Sequence, residues 1–216
     1  MKYFSLIILF ILFSCGNKEA VLLPKSNVTV VSNVVDHSPI YIFFRTKEKD
    51  TLSELNRKNS IITTNWIFNI DKRLPLRLVI PEVMKLQEKK RNEVAHKNEL
   101  AENYYSYADS IGKNLAFLPF TKVYYKMGKP KSGGFSIHFK KGNDVVLVNK
   151  NQLKKDEVLD YVHRRINNIC KKDPDFQPQI RLFFDENMSF QEYIQNKILI
   201  RKLDSYNKEV PKEFIF

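Results

Sequence analysis

The chain has 216 residues, 43% of them hydrophobic and 28% charged, with 36 Lys and Arg against 24 Asp and Glu for a formal net charge of +12. This allows one large or two small domains with cores of their own. After the first residues, no hydrophobic segment is long enough to span a bilayer, which excludes a polytopic membrane protein.

Residues 1–15, MKYFSLIILFILFSC, carry one positive charge at Lys2, an apolar run and then Ser14 before Cys15. That is the pattern of a secretory signal, too short in its apolar part for a stable transmembrane helix. The ending Leu12-Phe13-Ser14-Cys15 resembles the lipobox of bacterial lipoproteins. The resemblance implies that Cys15 becomes an acylated N-terminus, palmitate among its acyl chains, and anchors the chain to a membrane. Gly16 follows in place of the Asp that many bacteria use for inner-membrane retention, so the expected location is the outer membrane. With Cys15 acylated, Cys170 is the remaining thiol and no intrachain disulfide is available. Cys170 follows Val162, Ile166 and Ile169 and reads as a buried structural thiol.

Residues 16–38 read as a tether, with a first strand at 28–31. Pro39 introduces IYIFFR, a central strand over 40–45, and Asp50 or Thr51 starts a short capped helix over 50–55. Residues 61–70 form a strand ending at Asp71. Leu76, Val79, Ile80, Val83, Met84 and Leu86 then recur at helical spacing, with Pro75 in the first turn and Pro81 kinking the helix or marking its real start. The helix continues as a polar stretch to 103. The aromatic group Tyr104, Tyr105 and Tyr107 beside Phe117 and Phe120 is assigned to helix packing, with a partner-binding face as the other reading. Residues 122–125 form a strand.

MGKPKSGG, residues 127–134, holds three of the six glycines and is the best linker in the chain. The expected division is therefore residues 1–15 as lipoprotein signal, 16–38 as tether, 39–127 as a first unit and 128–216 as a second. The second unit reads as strands at 135–139 and 145–148, a helix over 156–169, a strand over 179–184 ending at Asp185, a helix over 189–203 and a terminal strand at 214–216. The fold class is α+β, two small tandem units of sheet plus helix.

One pattern occurs twice. WIFNIDKRLPLRLVI (66–80) and IRLFFDENMSFQEYI (180–194) align their aspartates, and Phe68, Ile70, Leu74, Leu76 and Ile80 then meet Leu182, Phe184, Met188, Phe190 and Ile194. Asp71 and Asp185 are expected to cap the helix that follows each strand, a structural role and not a catalytic one.

The order of elements in the second unit resembles the periplasmic domain of the ExbD/TolR biopolymer transport family. Val146-Leu147-Val148-Asn149 and Leu182-Phe183-Phe184-Asp185, followed by Phe190, Tyr193 and Ile194, carry the likeness, and residues 67–87 are similar to the same joint. Members of that family carry a transmembrane helix with a proton-handling Asp. This chain has no such helix, so the resemblance implies an accessory or paralogue held on an envelope surface, without the ion-conducting role.

No G-x-S-x-G elbow, phosphate loop, H-E-x-x-H or C-x-x-C occurs. Glu93-x-x-His96-x-x-Glu99 and Glu157-x-x-Asp160-x-x-His163 have metal-ligand spacing but lie among lysines and arginines, so they read as solvated helix faces. The expectations are no enzyme activity, no cofactor and no metal. The partners expected are the membrane through the lipid anchor and an envelope protein, beside an energised transport system. The alternative is an anionic envelope polymer, peptidoglycan or lipopolysaccharide, bound through the basic surface. An export signal excludes nucleic acid.

Overall fold

The computed structural model describes residues 20–94, 98–128, 135–142, 145–206 and 212–216. It is α+β, as the sequence indicates. In chain order the elements are β1 (Lys25–Ser26), β2 (His37–Lys47), β3 (Asp50–Asn56), β4 (Asn65–Ile70), α1 (Leu76–Asn92), β5 (Asn103–Asp109), β6 (Asn114–Pro119) and β7 (Tyr124–Met127). There follow β8 (Phe135–Phe139), β9 (Val145–Val148), β10 (Asn151–Lys154), α2 (Val158–Lys172), β11 (Ile180–Phe184), α3 (Phe190–Ile200) and β12 (Lys212–Ile215). Short 3-10 turns precede α2 and follow α3.

The described residues form two six-stranded sheets. In the first, the β2–β3 hairpin is followed by β4 parallel to β2, β5 parallel to β4, and β6 antiparallel to β5. The second repeats that plan: β8 and β9 are antiparallel, β11 is parallel to β8, and β12 is parallel to β11. The central strands β4 and β11 are buried along most of their length, which is why NWIFNI and IRLFF read as nearly continuous apolar runs. One hydrophobic core joins the inner faces of both sheets, from Ile40, Phe68 and Tyr105 to Ile137, Phe184 and Ile215.

β7 lies before the boundary expected at 127/128, yet it is the edge strand of the second sheet, parallel to β12. The first half of the chain therefore closes the sheet of the second. The expected tether also reaches the fold early. β4 and β5 pair only over Trp66–Phe68 and Asn103–Tyr105, and β1 takes up the freed edge of β5 at Ala108 and Asp109. The expected strand at 28–31 is reduced to a single bridge between Val31 and Phe117. Tyr107 holds the segment between by donating to the Val28 carbonyl and accepting from the Val30 amide.

Three other expectations change. Residues 50–55 are strand and not a capped helix. Glu48, at φ 55°, closes a two-residue turn that pairs Lys47 with Asp50, and hairpin closure after a long strand outweighs the local cap signal. α1 starts at Leu76 and runs through Pro81, because Leu76, Val79, Ile80 and Val83 are fully buried around it. It stops at Asn92, and Tyr104, Tyr105 and Tyr107 lie on β5, where the period is two: Tyr105 and Tyr107 face the core and Tyr104 the other side.

Candidate functional site

The two joints marked by Asp71 and Asp185 meet each other. Each Asp amide bonds to a carbonyl of the neighbouring parallel strand, Asp71 to that of Ile42 on β2 and Asp185 to that of Phe139 on β8, both at 3.0 Å. Leu76 N then donates to Met188 O at 2.9 Å, and Phe190 N donates to Leu74 O at 2.8 Å. Arg77 N to Glu186 O, at 2.8 Å, is matched by Gln191 N to Lys72 O at 3.1 Å. Between them Pro75 and Ser189 form an antiparallel bridge. Each of the four bonds between the joints has its counterpart at an offset of 114 residues, that of the sequence repeat (185 − 71), so the joints are related by a local twofold through Pro75 and Ser189.

This pairing answers the question the caps were expected to answer. The first amides of a helix lack partners within it, and here the first two of α1 and of α3 find carbonyls in the other joint. The N-cap positions are Pro75, without a side-chain bond, and Ser189, whose hydroxyl exchanges bonds with Glu192 in a capping box. Asp71 and Asp185 are thus not the helix caps. Each closes the turn before the helix, accepting from the amide two residues on: Arg73 N at 3.1 Å and Asn187 N at 2.9 Å. The S-x-x-E pattern of Ser189 and Glu192 was the sequence signal for the cap.

The two carboxylates differ in surroundings. Asp71 is fully buried and takes a two-pronged ion pair from Arg73, Nε to Oδ1 at 2.9 Å and Nη2 to Oδ2 at 2.8 Å. Burial by itself would raise its carboxyl, but the bonds from the Arg73 side chain and amide and from the Leu22 amide outweigh it and hold the group below its ordinary range. Asp185 is half-buried and meets backbone amides alone among the described residues, those of Asn187 and Lys141.

At the far end of β4 from Asp71, several loops converge. Asn65 donates to Val35 O, Asn98 donates to Thr63 O, and Trp66 N donates to Glu102 O. These loops expose Val94 at 90%, Leu100 at 87%, Val35 at 69% and Ile61 at 59%, the four most exposed large aliphatics there. Isolated exposed aliphatics are ordinary; these four lie on loops at the same end of the first sheet. Beside them is a cleft of about 340 Å³ lined by Lys90, Arg91, Asn98, Thr121 and Tyr124 among others. Its cations are built in. Lys90 lies over the Trp66 ring and donates to Thr64 O, Glu102 O and Asn103 Oδ1, and burial pushes its ammonium down to about 8. Arg91 stacks on Tyr124 and donates to Thr121 O and Val123 O. The Lys89-Lys90-Arg91 run therefore does not present three free charges.

A second polar cluster escaped sequence reasoning because its members come from four elements. Tyr105 OH, Tyr125 OH and Tyr193 OH form a chain at 2.8 and 3.0 Å that ends with Tyr193 donating to Glu213 Oε2 at 2.7 Å, while Lys197 Nζ meets Glu213 Oε1 at 2.5 Å. All five side chains are buried. Burial first, then the neighbouring acids and phenols, pushes the three phenols well above their ordinary value.

The remaining sequence candidates are dispersed. Cys15 and His96 lie outside the described residues. Cys170 is half-buried and packs against the core, its Sγ 4.0 Å from Phe176 O. His163 stands edge-on to Tyr206 on α2, and among the described residues no three His, Cys, Asp or Glu side chains gather. Asn149 turns the chain between β9 and β10 at φ 48° and accepts from Ser136 N at 2.9 Å. No described helix is long and apolar enough to cross a membrane. Scans against known protein families, curated proteins and solved structures find no match for this chain.

Proposed function

We propose that this chain is a lipid-anchored lipoprotein of the bacterial cell envelope, held at the outer membrane, that works without catalysis as a protein-interaction module. The anchor rests on the LFSC ending at Cys15. The observation that carries the interaction role is the pole where Val35, Ile61, Val94 and Leu100 are exposed together. The chain from Cys15 enters the fold at Leu22, which bonds Lys72 and Asp71 at the opposite end of β4. Seven residues span at most about 25 Å, so the entry end stays near the bilayer. The aliphatic pole stands roughly 20 Å away along β4. The resemblance to the ExbD/TolR periplasmic domain selects the partner to look for first, a protein of an energised envelope transport system.

The anchor and the surface are tested separately. Radiolabelled fatty acid should enter the wild type and not Cys15→Ala, and equal labelling would remove the anchor. A photo-crosslinking residue at Leu100 of the anchored protein should capture one membrane protein, and Val94→Asp should abolish that capture. Equal capture from Leu52, on the far edge of the first sheet, would remove the surface. Salt-sensitive sedimentation with cell wall or lipopolysaccharide, with no such crosslink, would favour the anionic polymer instead.

A further inference from the structure

Beyond the aliphatic pole, a second cleft of about 370 Å³ opens where β6 and the segment before β2 meet the 3-10 turn after α3. Its volume equals roughly a dozen waters at about 30 Å³ each, the lower end of the range for small-molecule sites. The lining is divided by chemistry. Val30, Leu118 and Val123 supply an apolar lining, and Lys197 on α3 with Arg201 and Lys202 on the turn after it bring three cations.

The cations are not equivalent. Lys197 is 6% exposed and committed to Glu213, so its charge is already balanced inside the fold. Arg201 and Lys202 are exposed, and among the described residues neither side chain has a hydrogen-bond or ion-pair partner within range. Among the described residues Asp204 is the one acid lining the mouth; it feels the charges of Lys197 and Arg201, and with Lys202 added the described lining carries a net positive charge. A neutral apolar ligand would leave both cations unused, and a bare anion would leave the apolar lining wet. A molecule with one anionic head and a short apolar chain satisfies both at once.

We propose that this cleft binds an amphipathic anion, its phosphate or carboxylate head held by Arg201 and Lys202 and its chain laid against Val30, Leu118 and Val123. The assignment does not depend on the anchor or on the aliphatic pole. The two sources of such a head, a lipid-like amphiphile and free phosphate, are separated by the apolar lining.

The test uses the full-length protein in phosphatidylcholine nanodiscs, with the methyl resonances of Leu118 and Val123 followed during titration. Octyl phosphate should shift both saturably. Inorganic phosphate should bind at least tenfold more weakly, and octyltrimethylammonium should leave both unshifted. Arg201→Ala/Lys202→Ala, altering two exposed side chains, should raise the Kd for octyl phosphate at least tenfold with no change in Tm. Absence of a saturable shift would overturn the proposal, as would equal affinity in the double variant or equal shifts with the cationic amphiphile. Equal affinity for inorganic phosphate would do so too, since the apolar lining would then contribute nothing.

Discussion

At the residue scale, Asp71 shows how the same side chain in two copies of one motif takes on different weight. Its two oxygens accept from Leu22, Arg73 N and both prongs of the Arg73 guanidinium, whereas Asp185 accepts from two amides. Removing the buried carboxylate leaves the Leu22 and Arg73 amides without their acceptor and strips the exposed Arg73 guanidinium of its fork. Asp71→Ala should therefore lower the unfolding free energy by about 3 kcal/mol and Asp185→Ala by about 1 kcal/mol, read from urea midpoints at neutral pH. Equal losses would show that the Arg73 fork contributes nothing. Because the folded carboxyl of Asp71 lies below its ordinary value of 3.8, its contribution is complete above that pH and is lost as pH falls through the lower folded value. The stability gap between wild type and Asp71→Asn should accordingly stay constant from pH 7 to pH 5 and close below pH 4. The sequence located both aspartates at strand ends, but nothing local in KRLPL distinguishes Arg73 as the partner from Lys72 beside it.

At the element scale, periodicity was informative where one face was buried and misleading where the chain had to turn. The strand–Asp–helix joints, the β8–β9 hairpin, α2 and the terminal strand β12 stand within a few residues of where the sequence put them. β3 and β5 were lost for different reasons. DTLSEL carries a good helix start, and only its pairing with β2 reveals the alternation in which Thr51, Ser53 and Leu55 turn inward. NYYSY follows a long polar stretch with no strong breaker, so the expected helix runs to 103 and its tyrosines read as helix packing. The start of α3 had a legible signal, Ser189 three residues before Glu192, with Ser189 Oγ accepting from Glu192 N at 3.2 Å. Ser189→Ala should cost about 1 kcal/mol of stability, and Pro75→Ala at the equivalent position of α1, which has no side-chain bond to lose, should cost less. A urea series on the two variants decides it, and a larger loss at Pro75 would mean that backbone restriction, not capping, holds these joints.

At the scale of the whole molecule, the local twofold at Pro75 and Ser189 aligns two similar units, and their seam is then made dissimilar. β12 pairs with β11 as β5 pairs with β4, and Glu213 occupies the register position opposite Leu182 that Tyr105 occupies opposite Phe68. An acid thus faces the core where the other unit places a phenol. It is tolerated because Lys197 from α3 balances it and Tyr193, Tyr125 and Tyr105 pass hydrogen bonds from it to the first sheet. Burial would lower the Lys197 ammonium, and the neighbouring Glu213 and Asp204 carboxylates more than offset that, so Lys197 keeps its charge in the fold. An ion pair taken out of water contributes little net stability, while a single unpaired charge left behind is costly. Glu213→Leu and Lys197→Met should each therefore destabilise by about 3–5 kcal/mol, and the double variant should recover most of that loss. Tyr193→Phe added to the double variant should bring a further gain of about 1 kcal/mol, because the Tyr193 hydroxyl would otherwise have lost its acceptor. The cycle is measured by chemical denaturation, and strictly additive losses would show that the pair is not the link that holds the two sheets in register.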